Sequence, residues 1–376
     1  MTPAGGGRAA RALARVNLAA IERNTAKLVR ASPRLCAVLK ADAYGHGAVE
    51  SARAVLAGGA RVLAVATSAE AAELRAAGVA APIIVLGALT RRELVEALAA
   101  GAEVVAWTDA LLDWVREEGG GRVHVKLDTG MGRLGTRDGA LADRFVTRVL
   151  ATDSLELAGV MTHFATADEP DMRFLEEQLA RFSSWLDALR DQHGPIPAHA
   201  ENSAALLGAG RARFDMARCG VALYGLDPFG VDARARDLEP ALELVSWVAA
   251  LKPCAAGESA GYGRRFVASK ATLLGIIPVG YADGVRRVIS PGGEVAVRGR
   301  RRPLAGTISM DSLAIDLGED PVAIGDEAVL IGGAGEARVS AEEVARWAGT
   351  INYEVTCALS PRVPRHYHRD GEALDA

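Results

Sequence analysis

Leu35-Cys-Ala-Val-Leu-Lys-Ala-Asp-Ala-Tyr-Gly-His-Gly47 decides the fold. An apolar run of five residues ends at Lys40, and glycines at 45 and 47 then break the chain. A short apolar run between turn signals reads as a buried strand. The same pattern recurs through the first 225 or so residues, at Val62–Ala66, Ile83–Leu86, Glu103–Trp107, Val123–Leu127, Leu157–Thr162, Pro197–Ala200 and Val221–Tyr224. Segments of helical period lie between these runs. One opens at Ser68-Ala-Glu-Ala and stops at Gly78. Another opens at Thr108-Asp109, shows Leu111, Leu112 and Val115 on one face, and stops at Gly119. Eight βα units are the number a closed parallel barrel needs, although an open doubly wound sheet shares the alternation.

Beyond Gly230 helical spacing becomes rare. Ala271–Val279, Glu294–Val297, Ser312–Leu317 and Ala328–Ile331 alternate with turns such as Gly292-Gly293 and Gly332-Gly333, and one helix is signalled by Ser340-Ala-Glu-Glu343 with Gly349 at its end. The expected architecture is therefore α/β: a disordered leader over 1–12, a (β/α)8 TIM-type barrel over 13–230 and a mainly β C-terminal domain over 231–376.

Composition narrows the function. The 376 residues carry a net charge of −4, which argues against a nucleic-acid binder, and no apolar run is long enough to span a membrane. Four scattered cysteines form no CxxC pair, so neither a disulfide framework nor a metal site is expected. The Ala-, Gly- and Arg-rich start lacks the apolar segment of a secretory signal, and a cytoplasmic location is expected.

Barrel chemistry gathers at the C-terminal ends of the strands. The polar residues there are Lys40, Lys126 with Asp128 and the following Arg133, His163, Asn202-Ser203, and Arg218 with Gly220. A lone lysine after a strand usually marks where the strand meets water. Lys40 gains meaning from this company, because a primary amine in a partly dry pocket is easily deprotonated and condenses with aldehydes.

Six strings carry a resemblance along nearly the whole chain: Val38-Leu-Lys-Ala-Asp-Ala-Tyr-Gly-His-Gly47, Lys126-Leu-Asp-Thr-Gly-Met-Gly-Arg-Leu-Gly135, Gly261-Tyr-Gly263, Val279-Gly-Tyr-Ala-Asp-Gly284, Ser309-Met-Asp311 and Ile351-Asn-Tyr-Glu-Val355. In their order and spacing the chain resembles the bacterial alanine racemases, enzymes that use pyridoxal 5'-phosphate to interconvert L- and D-alanine and so supply D-alanine for the cell wall. The resemblance implies that Lys40 holds the cofactor as an imine and moves a proton on one face of the substrate, with Tyr262 as the opposed base. It implies Arg218 at the pyridine nitrogen, His163 against the ring, and Tyr44, Ser203, Gly220, Val221 and Tyr353 around the phosphate, with Asn202 in support. It implies that Arg133 and the Met310 backbone orient the substrate carboxylate, that Lys126 is carbamylated to hold Arg133, and that Tyr281, Tyr353 and Asp311 line the approach. Tyr262 lies in the β domain, and in the family that domain covers the barrel mouth of the other subunit of a homodimer. Glu201 departs from the small or apolar residue usual before the asparagine.

Two other classes stay open at this stage: a related enzyme such as a basic amino-acid decarboxylase or a serine or broad-specificity racemase, and a non-catalytic pyridoxal-phosphate binding protein. The strings Gly261-Tyr-Gly263 and Ser309-Met-Asp311 favour a racemase. About 145 residues beyond the barrel weigh against the binding protein. Asp128-Thr129-Gly130 has no second copy to make an aspartic-protease pair, and Gly332-Gly-Ala-Gly335 opens no βαβ unit.

Overall fold

The computed structural model describes residues 10–374. Most of the expected leader, residues 1–9, lies outside the described residues. The chain forms two compact units. One runs from Ala19 to Phe229; the other joins the described residues before Ala19 to those from Gly230 onward.

The first unit is an eight-stranded parallel sheet. Its strands in chain order are Cys36–Val38, Val62–Val65, Ile83–Val85, Glu103–Ala106, Gly121–Lys126, Leu155–Met161, Ala198–His199 and Arg218–Cys219. Each pairs with the next up to Ala198–His199, and Arg218–Cys219 pairs with the first. Between the two free edges the Arg218 N–H donates to Glu201 O at 2.8 Å, so the barrel is nearly closed. Val62–Val65 and Glu103–Ala106 are buried throughout, as strands covered on both faces must be. The helices start where hydroxyl or carboxylate side chains accept from the first free N–H groups. Thr67 with Glu70 and Thr90 with Glu93 form capping boxes, and Thr108 and Asp138 cap alone. The first of these caps lies one residue before the expected Ser68.

The eighth run is a correction. Val221–Tyr224 is a tight 3₁₀ turn, and the strand is the preceding Arg218–Cys219. The buried Tyr224 holds the turn down, donating its hydroxyl to Val38 O at 2.9 Å.

The second unit holds a seven-stranded sheet ordered Arg300–Pro303, Glu294–Val297, Glu327–Ile331, Leu242–Trp247, Leu13–Asn17, Arg365–Arg369, Glu372–Ala373. It also holds a three-stranded sheet of Ala250–Cys254, Thr272–Ile277 and Leu313–Gly318. Leu313–Gly318 alternates buried and half-buried residues, the mark of a sheet with one covered face. The helix Ala341–Ala348 has the expected capping box and ends at Gly349 in a left-handed conformation.

Leu13–Asn17 falls inside the expected barrel range of 13–230. It instead pairs antiparallel with Leu242–Trp247 and parallel with Arg365–Arg369. Its Ala14 and Val16 are fully buried in that sheet, and Ser246 Oγ donates to Arg11 O, so ordered structure begins before residue 13.

Candidate active site

Lys40 follows the first barrel strand and opens an unusual segment. Ala41, Asp42, Ala43 and Tyr44 all have φ between 53 and 56°, one turn of left-handed helix built without glycine. Such a conformation costs roughly 1–2 kcal/mol per residue, so the surroundings must enforce it. Glu70 Oε1 accepts from Ala41 N at 2.6 Å, Asp42 Oδ1 accepts from Ala48 N at 2.8 Å, and the buried His46 ring lies 3.0 Å from the carbonyls of Ala43 and Tyr44. The half-buried Lys40 is held at one end of this turn, with its Nζ 6.0 Å from the Tyr44 ring centroid.

Tyr44 is buried and borders the loop after the last strand. Gly220 N donates to Ser203 Oγ at 3.1 Å. The Val221 N–H, at the start of the 3₁₀ turn, meets no acceptor among the described residues. Asn202 Oδ1 accepts from Ala205 N at 2.9 Å, so its carbonyl caps the helix Ser203–Ala209.

Arg218 is buried, and its guanidinium is bound on several sides. It donates to the carbonyls of His199, Thr162 and Ala200 and approaches His199 Nδ1 at 2.8 Å and His163 Nδ1 at 3.1 Å. Burial pulls its pKa down to about 10, yet it stays a cation at neutral pH. His163 is held well below the ordinary imidazole range, first by burial and then by the charges of Arg218, Arg133, Lys126 and Lys40. The neutral His163 ring thus lies in the field of four cationic side chains.

Lys126 is buried at the end of its strand. Burial, with Arg218 and Arg133, lowers it to about 8. The next acid, Asp128, offsets this only in part, and its oxygens accept from Gly130 N, Gly132 N and Arg137 Nε. These bonds hold the Asp128 carboxyl below the usual range in spite of burial and fold the loop that presents Arg133. Arg133 is exposed and makes no ion pair among the described residues.

The remaining expected residues belong to the second unit. Tyr262 is 71% exposed in a turn whose carbonyl accepts from Thr307 Oγ1. Gly261 is required there, since its φ is +72° and a Cβ would lie 2.7 Å from Thr307 N. Tyr281 N and Ala282 N donate to Ser309 O and Met310 O, joining the Tyr281 and Met310 loops on one face. Tyr281 and Met310 are exposed. Asp311 is taken up by Arg362 at 2.6 Å. Tyr353 is half-buried in the short helix Asn352–Cys357.

Several supporting residues went unnoticed in the sequence. Buried Gln178 donates to Thr129 Oγ1 and His163 O and accepts from Ala165 N, fixing the loop that carries His163. Glu103, His124 and His199 lie on inward-facing strand positions behind Arg218. Alternation could have flagged His124, which shares a face with Lys126 two residues on. Glu201, whose charge looked out of place, accepts from Arg213 N at 2.6 Å and Phe214 N at 3.3 Å and so ties down the loop before the last strand. No cluster able to hold a metal ion occurs among the described residues.

Both units have counterparts among known proteins. The family description of the alanine racemase N-terminal domain matches residues 16–228, and that of the C-terminal domain matches 241–367. An alanine racemase of Symbiobacterium thermophilum is 41% identical over 94% of this chain and 96% of its own length. One from Halothermothrix orenii is 39% identical over 91% and 92%. Among solved structures, the alanine racemase of Streptomyces lavendulae superposes with a TM-score of 0.91 at 36% identity, covering 96% and 98%. That of Bacillus anthracis with bound L-Ala-P gives 0.89 at 34%, covering 98% of each chain. With both of its units matched in order by the family's two domains, the chain belongs to the alanine racemase family.

Proposed function

We propose that this member of the alanine racemase family interconverts L- and D-alanine with Lys40 and Tyr262 as opposed proton-transferring groups. The carrying observation is the charge around His163. Arg218, Arg133, Lys126 and Lys40 all act on it, while Asp128 is already bound by other donors. A site with that surplus of cations receives anions, and a substrate carboxylate, a cofactor phosphate and a carbamate formed on Lys126 supply them.

Pyridoxal 5'-phosphate suits the residues present. Lys40 offers the amine for its aldehyde, Ser203, Tyr44, Tyr353 and the open Val221 N–H offer donors for its phosphate, and Gly220 leaves the backbone accessible beside Tyr44. When bound, the cofactor supplies an electron sink that acidifies the substrate α-hydrogen. Arg218 presents hydrogen-bond donors and no proton acceptor toward the ring, and His163 packs beside it. Asn202 supports the lysine side. Arg133, with the Met310 backbone, orients the substrate carboxylate, and a carbamate on Lys126 holds Arg133. Lys40 Nζ moves the proton on one face and Tyr262 Oη on the other. Tyrosine is a weak base, with an unperturbed pKa of about 10, so Tyr262 depends on cationic neighbours.

The exposure of Tyr262, Tyr281 and Met310 on one face of the β unit supports a homodimer in which each β unit covers its partner's barrel mouth. Tyr281, Tyr353 and Asp311 then narrow the approach to a substrate as small as alanine. No helix among the described residues is long and apolar enough to cross a membrane. None of the four cysteines is in a disulfide, which fits the reducing cytoplasm and a role in D-alanine supply for the cell wall.

The test is incubation of the holoenzyme with L-alanine and, separately, L-serine, following the D-enantiomers by chiral chromatography. D-alanine formation far ahead of D-serine is expected. No D-alanine at all would overturn the reading.

A further inference from the structure

A row of buried hydrogen bonds crosses the barrel interior behind Arg218. Arg218 Nη1 lies 2.8 Å from His199 Nδ1, His199 Nε2 lies 3.0 Å from His124 Nδ1, and His124 Nε2 lies 2.7 Å from Glu103 Oε2. The two imidazoles meet edge to face. His124, His199 and Glu103 are all buried. Glu103 is the first residue of its strand, at the end of the barrel opposite Lys40 and Lys126, and borders a cavity of about 360 Å³ there with Arg34, Arg122 and Asp215. Arg122 Nε donates to its other oxygen at 2.8 Å.

The direction of the row is fixed by its ends. A guanidinium can only donate, so His199 Nδ1 must accept. A neutral imidazole that accepts at Nδ1 carries its hydrogen on Nε2. His199 therefore donates to His124 Nδ1, and His124 in turn donates from Nε2. The acceptor at the far end must have no hydrogen of its own, which an ionised carboxylate satisfies. The shifts agree: burial holds both imidazoles below their ordinary range, and the His124 and Arg122 contacts hold the Glu103 carboxyl down against the effect of burial. Gly159 stands opposite His124 in the sheet, where a Cβ would come within 3.3 Å of Nδ1, so the strand leaves room for the ring.

We propose that Glu103 is a positioning residue for the reaction, acting on Arg218 by dictating the tautomers of His124 and His199. If the carboxylate became a group that donates to His124 Nε2, both rings would have to turn over. His199 would then aim an N–H at the Arg218 guanidinium, donor against donor. Arg218 would lose one of its anchors and shift relative to whatever its outward face holds. This inference rests on the reading of Arg218 as the residue that faces the cofactor ring.

The experiment compares wild-type holoenzyme with Glu103→Gln and Glu103→Asp. It uses nitrogen NMR of ¹⁵N-histidine-labelled protein, the visible absorption of the bound cofactor, and racemisation kinetics. The wild type should show His124 and His199 as neutral Nε2–H tautomers. Glu103→Gln should lose that pattern, shift the cofactor band and lower kcat/KM by about tenfold, the scale of one unsatisfied buried donor. Glu103→Asp should restore part of all three. Wild-type Nδ1–H tautomers would overturn the proposal even if Glu103→Gln fails to fold. So would a folded Glu103→Gln whose histidine tautomers change while its kinetics and cofactor band stay those of the wild type. An Arg218→Lys control separates the two ideas: if it leaves kinetics and cofactor band unchanged, the reading of Arg218 itself has failed.

Discussion

Gly220 and Tyr44 stand so close that a Cβ on the glycine would lie 2.3 Å from the tyrosine hydroxyl oxygen. Tyr44 cannot easily retreat, because its backbone is the last residue of the left-handed turn and its ring lies 5.2 Å from that of Tyr224. Gly220→Ala should therefore displace the Tyr44 ring and weaken cofactor binding by about tenfold or more, with an overpacking cost of roughly 1–3 kcal/mol in the apoprotein. Fluorescence titration with pyridoxal phosphate and thermal unfolding check it; wild-type affinity would show that the ring has somewhere else to go.

Lys126 makes the pH behaviour specific. Its folded pKa is about 8 against 10.5 for the free side chain, so below pH 8 it is charged in both states and the folded state bears the whole burial penalty. At one pKa unit per 1.36 kcal/mol this is about 3 kcal/mol. Between pH 8 and 10.5 the unfolded chain binds more protons, so the penalty fades as pH rises. In buffer free of carbon dioxide, Lys126→Met should be more stable than wild type at pH 7, with the gap closing by pH 10.5. In ¹³C-bicarbonate the wild type alone should show a carbamate signal. A wild type without that signal would remove the proposed support for Arg133.

For Tyr262, exposure separates catalysis from stability. Tyr262→Phe removes a hydroxyl that has no hydrogen bond among the described residues, so unfolding should change by less than about 0.5 kcal/mol. Racemisation should fall by about 10²–10⁴, the usual range for losing a proton-transfer group, with cofactor content unchanged. Equal rates in both directions at wild-type level would remove Tyr262 from the chemistry.

What could be read from the chain depended on how local the cause was. Runs such as Ile83–Leu86 declared themselves because both faces of a barrel strand are covered. Arg218–Cys219 did not, since a two-residue strand that opens with a charge has no apolar pattern, and the run after it drew the assignment instead. Leu13–Asn17 looks like any short strand, and its partners lie more than two hundred residues away. Lys40 was legible from its string, whereas the support given by Glu70, Gln178 and Glu103 comes from other strands and helices. The left-handed turn was hidden because none of residues 41–44 is a glycine.

That turn can be tested where the strain is accessible. Ala41 is exposed with φ 54° and takes part mainly through its backbone. Glycine adopts this conformation without the Cβ clash but has more freedom to lose on folding. The two effects oppose, and the clash is the larger, so Ala41→Gly should stabilise the apoprotein by about 0.5–1 kcal/mol. Denaturant unfolding with an unchanged slope would report this; a loss of stability would mean that the surroundings relieve the strain more fully than the dihedral angles suggest.

Asp128 offers the sharpest distinction between holding a loop and doing chemistry. Its carboxylate accepts from two backbone N–H groups and from Arg137, and those bonds shape the 128–133 segment ahead of Arg133. Removing them in Asp128→Ala leaves Arg133 present but no longer aimed. If Arg133 binds the substrate carboxylate equally in the ground and transition states, the loss appears in KM, by about tenfold, with kcat nearly unchanged. Asp128→Asn keeps one acceptor for the backbone donors and should recover much of the affinity. A fall in kcat with KM intact would instead mean that the loop aligns a group acting only in the transition state, and the assignment of Arg133 to ground-state orientation would have to be given up.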